Sequence, residues 1–470
     1  MTVLPSPAPV TDAAQPALSG GGRGRRYALL AVTTVCGAAI IGLYRHSAIT
    51  VIVVLMATAG CAALAVLERR SPRLGPRPVV AAIGIVFAVA LALPPKTSND
   101  LWSYSMYGRI VSVYGDSPYN HLPYEFHTDP FYKRISPIWQ HRGSVYGPVF
   151  VGYATVGTFL AGNSVLVDRL FFQLSAALAA ATVLWILWRR TRSVAALVWL
   201  GLCPLMGPII VNGGHNDIAI GLAILVAAIL AGRSDRGWLA GILIGLASLI
   251  KFTSCLALIG LVLWAWRHGK RRLAVTATAG TALTVFFVYL PFLSGASKVL
   301  GGADKTLTPA SPWNPLGAAL LGHDAGRNVP HPLHITPTLY GIFYTSVVGV
   351  AVLTLVVGWH VSRGRRVEAS VGATTASYTV GAEYSYPWYA LWALPVLADR
   401  DPTPLAWAVW AQAIVMLAAL KLPTHPSTSL VDTILGGLLT YAAPLVVLVW
   451  FIVAGTRWAC RPPNTADVPA

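Results

Sequence analysis

Apolar runs of close to twenty residues, separated by short polar joints, make up most of the chain. A run of about twenty residues crosses the hydrocarbon core of a bilayer as an α-helix, because each residue advances the helix by about 1.5 Å. The first two runs cover about Tyr27–Tyr44 and Ala48–Leu67, and the basic joint "ERRSPRLGPRP" follows them. A third run, "VVAAIGIVFAVALALPP", delivers "KTSNDLWSY" to the far side. Basic joints recur as "RRTR" (189–192), "RSDR" (233–236), "RHGKRR" (267–272) and "SRGRR" (362–366). The positive-inside rule puts all of them in the cytoplasm, and that parity governs what lies between them.

Only an odd number of crossings can join Asp100 to "RRTR". Of the two apolar stretches in that interval, 170–188 is the crossing, and "PVFVGYATVGTFLA" (148–161) lies along or shallowly in the outer surface. Between "RSDR" and "RHGKRR" stand about thirty mostly apolar residues, interrupted only by "LIKFTS". That is too many for one crossing and suits a hairpin of two half-spans with Lys251 at its tip. The same reasoning makes 370–397 a hairpin whose tip is "EYSYPWY", where Pro387 breaks the helix. The pattern therefore predicts an all-α polytopic membrane helical bundle of about 12–14 transmembrane helices. Outer-face interfacial helices and two long outer loops, 95–147 and 294–336, complete it. Residues 1–26, rich in Pro, Ala and Gly and closing in Arg23, Arg25 and Arg26, read as a disordered cytoplasmic tail. Residues 27–455 are the membrane domain and 456–470 a second cytoplasmic tail.

Composition sharpens this picture. Of 470 residues, 55% are hydrophobic and only 11% charged, with a mean hydropathy of +0.63; soluble domains carry roughly 25% charged residues. A net charge of +17 would suit nucleic acid, but the cations sit in the joints between apolar runs, so the partner they indicate is the bilayer and not nucleic acid. Five scattered cysteines with no CxxC or His-Cys cluster imply neither a metal site nor a disulfide framework.

The topology collects the chemistry-bearing residues on the outer side. After Asp100, apolar or aromatic residues recur at Leu101, Tyr104, Tyr107, Ile110, Val111 and Tyr114, an amphipathic interfacial helix with Arg109 on its polar side. Asp100 either caps that helix with Asn99 or performs chemistry at the headgroup level, and spacing alone leaves both open. "NGGHND" (212–217) opens a span, so Asn216 or Asp217 caps it and His215 stands beside glycine amides. This is either a plain turn or an anion site. Lys251, amid "LASLIKFTSCLALI", is costly unless it faces water or an anion. "YSYPWY", with Tyr386 and Trp388, either anchors the interface or stacks on a ligand. Arg134, Lys133, His141, Arg142, Lys305 and Arg327 fall on the same side, mostly as solvated loop charges, one or two of them able to complete a phosphate site.

In their order and shared sidedness, "SNDLWSY", a surface segment opening with "YGP", "GGHND", "LIKF" and "YPWYALWALP" resemble the GT-C superfamily of integral-membrane glycosyltransferases. The resemblance spans about residues 80–420 and is nearest to actinobacterial polyprenol-phosphate-mannose-dependent mannosyltransferases. It implies a plasma-membrane enzyme with a cytoplasmic N-terminus and an outward-facing site. That enzyme would move a sugar, mannose first among the choices, from a polyprenyl-phosphate donor to a glycan or glycolipid acceptor, with inversion. Asp100 would be the general base, a carboxylate near its ordinary pKa of about 3.9. Arg109, His215 and Lys251 would hold the donor phosphate, and Asn99, Tyr104, Tyr146, Asn216, Asp217, Tyr386 and Trp388 would contact substrate. No nucleotide signature or DxD motif is present, which implies no cofactor and no obligatory metal. The chain departs from the family pattern at Ser117 in "YGDSPYNH" and at Phe252, where a proline often follows the lysine. A transporter or flippase is the alternative from another class, but it would need ionisable residues through the depth of the bundle. A GT-C enzyme using lipid-linked arabinose or glucose would keep the same architecture.

Overall fold

The computed structural model describes residues 21–43, 47–96, 98–234, 236–292, 307–321, 337–398, 402–422 and 430–457. Helices carry the fold, and no strand occurs among the described residues. Among the described residues seven helices are long and apolar enough to cross a membrane, and five shorter apolar helices stand with them. Residues 1–20 and 458–470, which hold most of the two expected tails, lie outside the described residues, as do Lys305 and Arg327.

Helices α1 (Gly21–Gly42), α2 (Ala48–Arg70) and α3 (Pro76–Ala92) lead to α4 (Asp100–Ser112). Because α1 begins at Gly21, Arg23, Arg25 and Arg26 belong to a helix and not to the tail the sequence suggests. The reason is a buried partner: Arg26 pairs with Glu68 at the end of α2. Glu68 also accepts the backbone N–H groups of Arg73 and Leu74 at 2.9 and 3.0 Å, fastening the basic joint into a defined turn.

After α4 the chain forms a compact loop with the short α5 (Pro137–Gln140), then α6 (Pro148–Ala161), α7 (Val165–Thr191) and α8 (Val194–Gly201). Helices α9 (Asp217–Ser234), α10 (Gly237–Ser248), α11 (Leu256–Arg267) and α12 (Arg271–Tyr289) follow. Small residues let α10 and α12 touch: a Cβ on Gly237, Gly241 or Gly245 would come within 1.9 Å of Thr276, 2.2 Å of the Ala277 carbonyl and 2.8 Å of Thr284. That register makes α10 and α12 parallel, so α11 between them runs back the other way. The expected hairpin is therefore present, with Lys251 at its apex.

The last third contains α13 (Asn314–Leu321), α14 (Pro337–Val361), α15 (Val367–Gly381), α16 (Leu394–Leu397), α17 (Pro404–Leu420), α18 (Leu430–Gly437) and α19 (Ala443–Thr456). Gly260 of α11 fits against Ser370 and Thr374 of α15, and the Trp264 indole donates to the Gly364 carbonyl at 3.1 Å. The end of α11 thus meets the start of α15. A 3-10 turn, Pro387–Trp392, then carries the chain back until Leu397 packs on Gly372, which makes the second hairpin. Together these directions gather the basic joints at one end of the bundle and Asp100, His215, Lys251 and the 384–389 aromatics at the other.

Helix α4 departs from expectation. Every residue from Leu101 to Ile110 is buried, where an interfacial helix would keep one face wet. It is clamped against α6, because Gly108 lets the Ala154 backbone approach to 2.5 Å of where a Cβ would stand, and the loop before α5 covers its other side.

Candidate active site

Asp100 is the first residue of α4. Asn99 occupies the cap position without a side-chain capping bond and is exposed, so capping does not account for this acidic stretch. The Asp100 amide donates to Ser98 Oγ at 3.1 Å, and a fifth of the side chain remains exposed. Burial pushes its carboxyl up to about 6, against the opposing pull of the Lys251 charge and the Ser98 hydrogen bond. The ordinary value expected from sequence is therefore corrected upward. Five tyrosines, Tyr104, Tyr107, Tyr146, Tyr384 and Tyr386, surround the carboxylate closely enough to be held, with burial as the main cause, above the usual phenol range.

The "NGGHND" turn is placed by Asn212. Its amide donates to the carbonyls of Ala90, Leu93 and Pro94 at 3.0, 3.2 and 3.1 Å, while its oxygen accepts from Lys96 N–H at 3.1 Å. Gln173 of α7 donates to the Asn212 carbonyl at 2.6 Å. These bonds tie the segment leading to Asp100 to the segment leading to His215, and neither Asn212 nor Gln173 was assigned a role from the sequence. Gly214 turns with φ +61, and Gly213 leaves room for the His215 ring to fold back, since a Cβ there would sit 2.6 Å from its Cδ2.

His215 is fully buried. Its Nδ1 lies 3.9 Å from Asp100 Oδ2, 3.8 Å from Asp217 Oδ2 and 3.4 Å from Tyr104 Oη. Burial first, and then the Lys251 charge, drive its pKa well below the ordinary imidazole range. At neutral pH it is a neutral ring with one N–H to give. Its face stacks on Trp388 at 4.2 Å, and Trp388 stacks on Tyr386 at 4.6 Å with their planes 4° apart. This three-ring column ends at Tyr386, which is half-buried.

Lys251 reaches the cluster because "YGP" docks on the hairpin apex. The Gly147 amide donates to the Ile250 carbonyl at 3.1 Å, and a Cβ on Gly147 would lie 2.2 Å from the Leu249 carbonyl. Lys251 Nζ then donates to Asp217 Oδ1 at 2.8 Å and lies 4.4 Å from the Tyr389 ring and 5.5 Å from that of Tyr146. The Trp392 indole donates to the same Asp217 oxygen at 2.7 Å. Asp217 is wholly buried, so it orients Lys251 where the sequence suggested substrate contact. Asn216 is buried as well, and neither amide atom has a partner among the described residues.

Arg109 is not part of this group. It is buried, its Nε donates to both carboxylate oxygens of Asp129 at 3.0 and 2.8 Å, and its Nη atoms donate to the Gly162 carbonyl and Asn163 Oδ1 at 2.6 and 3.0 Å. Phe131 covers it at 4.6 Å. Each of its three nitrogens donates within the fold, fastening α4 to its covering loop and to the α6–α7 turn, which places it apart from Asp100, His215 and Lys251. The arginine that does face the tyrosines is Arg142, which sits over Trp139 at 5.6 Å and close to Tyr384, Tyr107 and Tyr386. Among the described residues, no group of three or more His, Cys, Asp and Glu comes together to hold a metal ion.

The chain is similar to several known proteins. The chain is 27% identical over 363 residues to alpha-(1->6)-mannopyranosyltransferase A of Mycobacterium tuberculosis, covering 72% of this chain and 66% of that one. It is 25% identical over 352 residues to alpha-(1->6)-mannopyranosyltransferase B of Corynebacterium glutamicum, covering 67% and 58%. A probable alpha-(1->6)-mannopyranosyltransferase of Mycolicibacterium smegmatis is 27% identical over 365 residues, covering 67% and 63%. The chain thus spans a little under two thirds of the length of these relatives. No solved structure matches it at a significant level. Residues 18–268, more than half of the chain and the part that holds Asp100, His215, Asp217 and Lys251, match the family described as alpha-(1->6)-mannopyranosyltransferase, N-terminal domain, and the chain belongs to that family.

Proposed function

We propose that the chain is a membrane mannosyltransferase that takes mannose from a polyprenyl-phosphate donor and adds it to a hydroxyl of a mannan or lipoglycan outside the plasma membrane. The observation that carries this reading is the contact cluster of Asp100, His215, Asp217 and Lys251 within the family-matched segment, faced by the Tyr386–Trp388 stack. The family and its relatives, named for alpha-(1->6) mannosyl transfer, support mannose as the sugar. The collection of basic joints at the end opposite this cluster supports an outward site and a cytoplasmic N-terminus.

Asp100 is the base. As the acceptor oxygen forms its bond to the anomeric carbon, its proton passes to the Asp100 carboxylate, and the carbon–oxygen bond to phosphate breaks with its electron pair on the leaving lipid phosphate. One displacement inverts the centre, so a β-linked donor yields the α-linkage. A carboxyl at about 6 is mostly ionised at neutral pH yet more basic than an ordinary aspartate, which suits proton abstraction. Arg142, Lys251 and the His215 N–H supply the donors that a leaving phosphate needs, and Asp217 with Trp392 holds Lys251 in place. Tyr386 and Trp388 offer an aromatic face to the sugar.

The test is transfer by purified protein from a panel of polyprenyl-phosphate sugars, with linkage analysis of the product. Wild type is expected to make an α-mannosyl product, and Asp100→Asn to fold yet make none. Full activity in Asp100→Asn would sink the assignment of the base; transfer of arabinose or glucose alone would sink the donor.

A further inference from the structure

Beside the cluster, with His215 in its wall, lies an apolar cavity of about 190 Å³. Its wall steps along α7 at Phe172, Ser175, Ala176 and Ala179, roughly 10 Å of helix at 1.5 Å per residue. α6 contributes Val149 and Tyr153 to the wall, and His215 and Asn216 line it just before and at the start of α9. The neighbouring outer surfaces of α6 and α7 carry exposed Val156, Phe159, Leu160, Leu174 and Leu178, an apolar belt of the kind that faces lipid tails.

Three polar atoms make this more than loose packing. Asn216 is 7% exposed and lines the cavity with both amide atoms unpartnered among the described residues, and the buried His215 Nε2 is likewise without a partner among them. An unpartnered amide in an apolar enclosure costs on the order of 1–3 kcal/mol, so such a group persists where something regularly satisfies it. The occupant must be apolar along roughly 10 Å of α7 and polar at the end next to His215.

Resting on the mannosyltransferase reading, we infer that this cavity seats the phosphate-proximal isoprene units of the donor lipid. The chain enters sideways from the bilayer along α6 and α7, and the Asn216 amide donates to an oxygen of the phosphate ester. His215 then separates two halves of one donor: prenyl chain on one side of the ring, reacting sugar and Asp100 on the other. This assigns recognition of the lipid to residues that never approach the sugar.

The experiment compares wild type with Ala179→Leu and Ala219→Leu, each of which extends a side chain into the cavity from a half-buried position. The probes are mannosyl phosphates of a long polyprenol and of a two-isoprene prenol, together with a photoreactive two-isoprene phosphate. Filling the cavity is expected to raise the donor KM roughly tenfold, leave the acceptor KM unmoved and lower kcat by less. The photoprobe is expected to label the Phe172–Ala179 segment. Unchanged donor KM in both variants overturns the inference, as does labelling elsewhere or equal competition by an ordinary phospholipid. If wild type transfers from no prenyl-phosphate sugar, the mannosyltransferase reading falls, and the labelling pattern still decides what the cavity binds.

Discussion

Asp100 should cost the protein stability in the state in which it is useful. Its carboxyl is held at about 6 in the folded chain, above the ordinary aspartate value of 3.8 that an unfolded chain would show. Between these two values the native state binds more protons than the unfolded one, so stability falls as pH rises from about 4 to about 6 and then levels off. The gap corresponds to roughly 3 kcal/mol, reduced somewhat because a fifth of the side chain meets solvent. Asp100→Asn keeps the shape and removes the charge. At pH 7 the variant should unfold several degrees above wild type, with an apparent gain of about 1–3 kcal/mol, and the two curves should converge near pH 4. The same substitution should lower transfer by a factor on the order of 100 to 10,000. Thermal unfolding of detergent-purified protein across pH 4–8, alongside the transfer assay, tests both halves. If Asp100→Asn is no more stable at pH 7, or its advantage persists undiminished to pH 4, the argument that burial raises this carboxyl is refuted.

Transfer by wild type should lose activity on acidification with a midpoint near 6, about tenfold down at pH 5, and Ser98→Ala should move that midpoint upward by removing a hydrogen bond that favours the ionised carboxyl; a midpoint near 4 would contradict the geometry. Arg109→Met should cost about 3–5 kcal/mol by stranding the buried Asp129 carboxylate, seen as loss of folded protein, and Asp129→Leu in the same chain should restore part of it. A well-folded Arg109→Met protein with only a weakened donor KM would return Arg109 to phosphate binding. Gly147→Ala should abolish transfer by forcing the "YGP" turn off Leu249 and displacing Lys251, while Gly152→Ala, with open space around it, should not; equal activity in both would refute the docking role of the turn.

Both hairpin apices are legible in the sequence, because crossing direction follows from where the basic joints stand and Lys251 and Pro387 break the apolar runs between them. The company of Asp100, His215, Lys251 and Tyr386 was legible for the same reason: parity places all four at one end. Arg109 was not. A helical-wheel argument sends a lone arginine toward water, but its partner Asp129 stands twenty residues on, in a loop that folds over α4 and covers the guanidinium with Phe131. Asn212 and Gln173 were invisible because their partners are backbone carbonyls of distant helices, which leave no periodicity or motif. The neutrality of His215 depends on its burial and on the charge of Lys251, 36 positions away, and no local window contains both.

The Asn212 clamp has a consequence for how such chains can vary. It grips the backbone at Lys96 on one side and is itself three residues from His215 on the other. Both arms are therefore rulers of set length, four residues to the carboxylate and three to the ring. One inserted residue in either arm would shift its side chain by about 3.5 Å, nearly the whole separation between Asp100 and His215. Relatives that keep the chemistry should tolerate gain or loss of residues in the loop covering α4 but none in these two arms. Counting residues between an asparagine and two flanking groups would then sort working members from remnants before any assay is run.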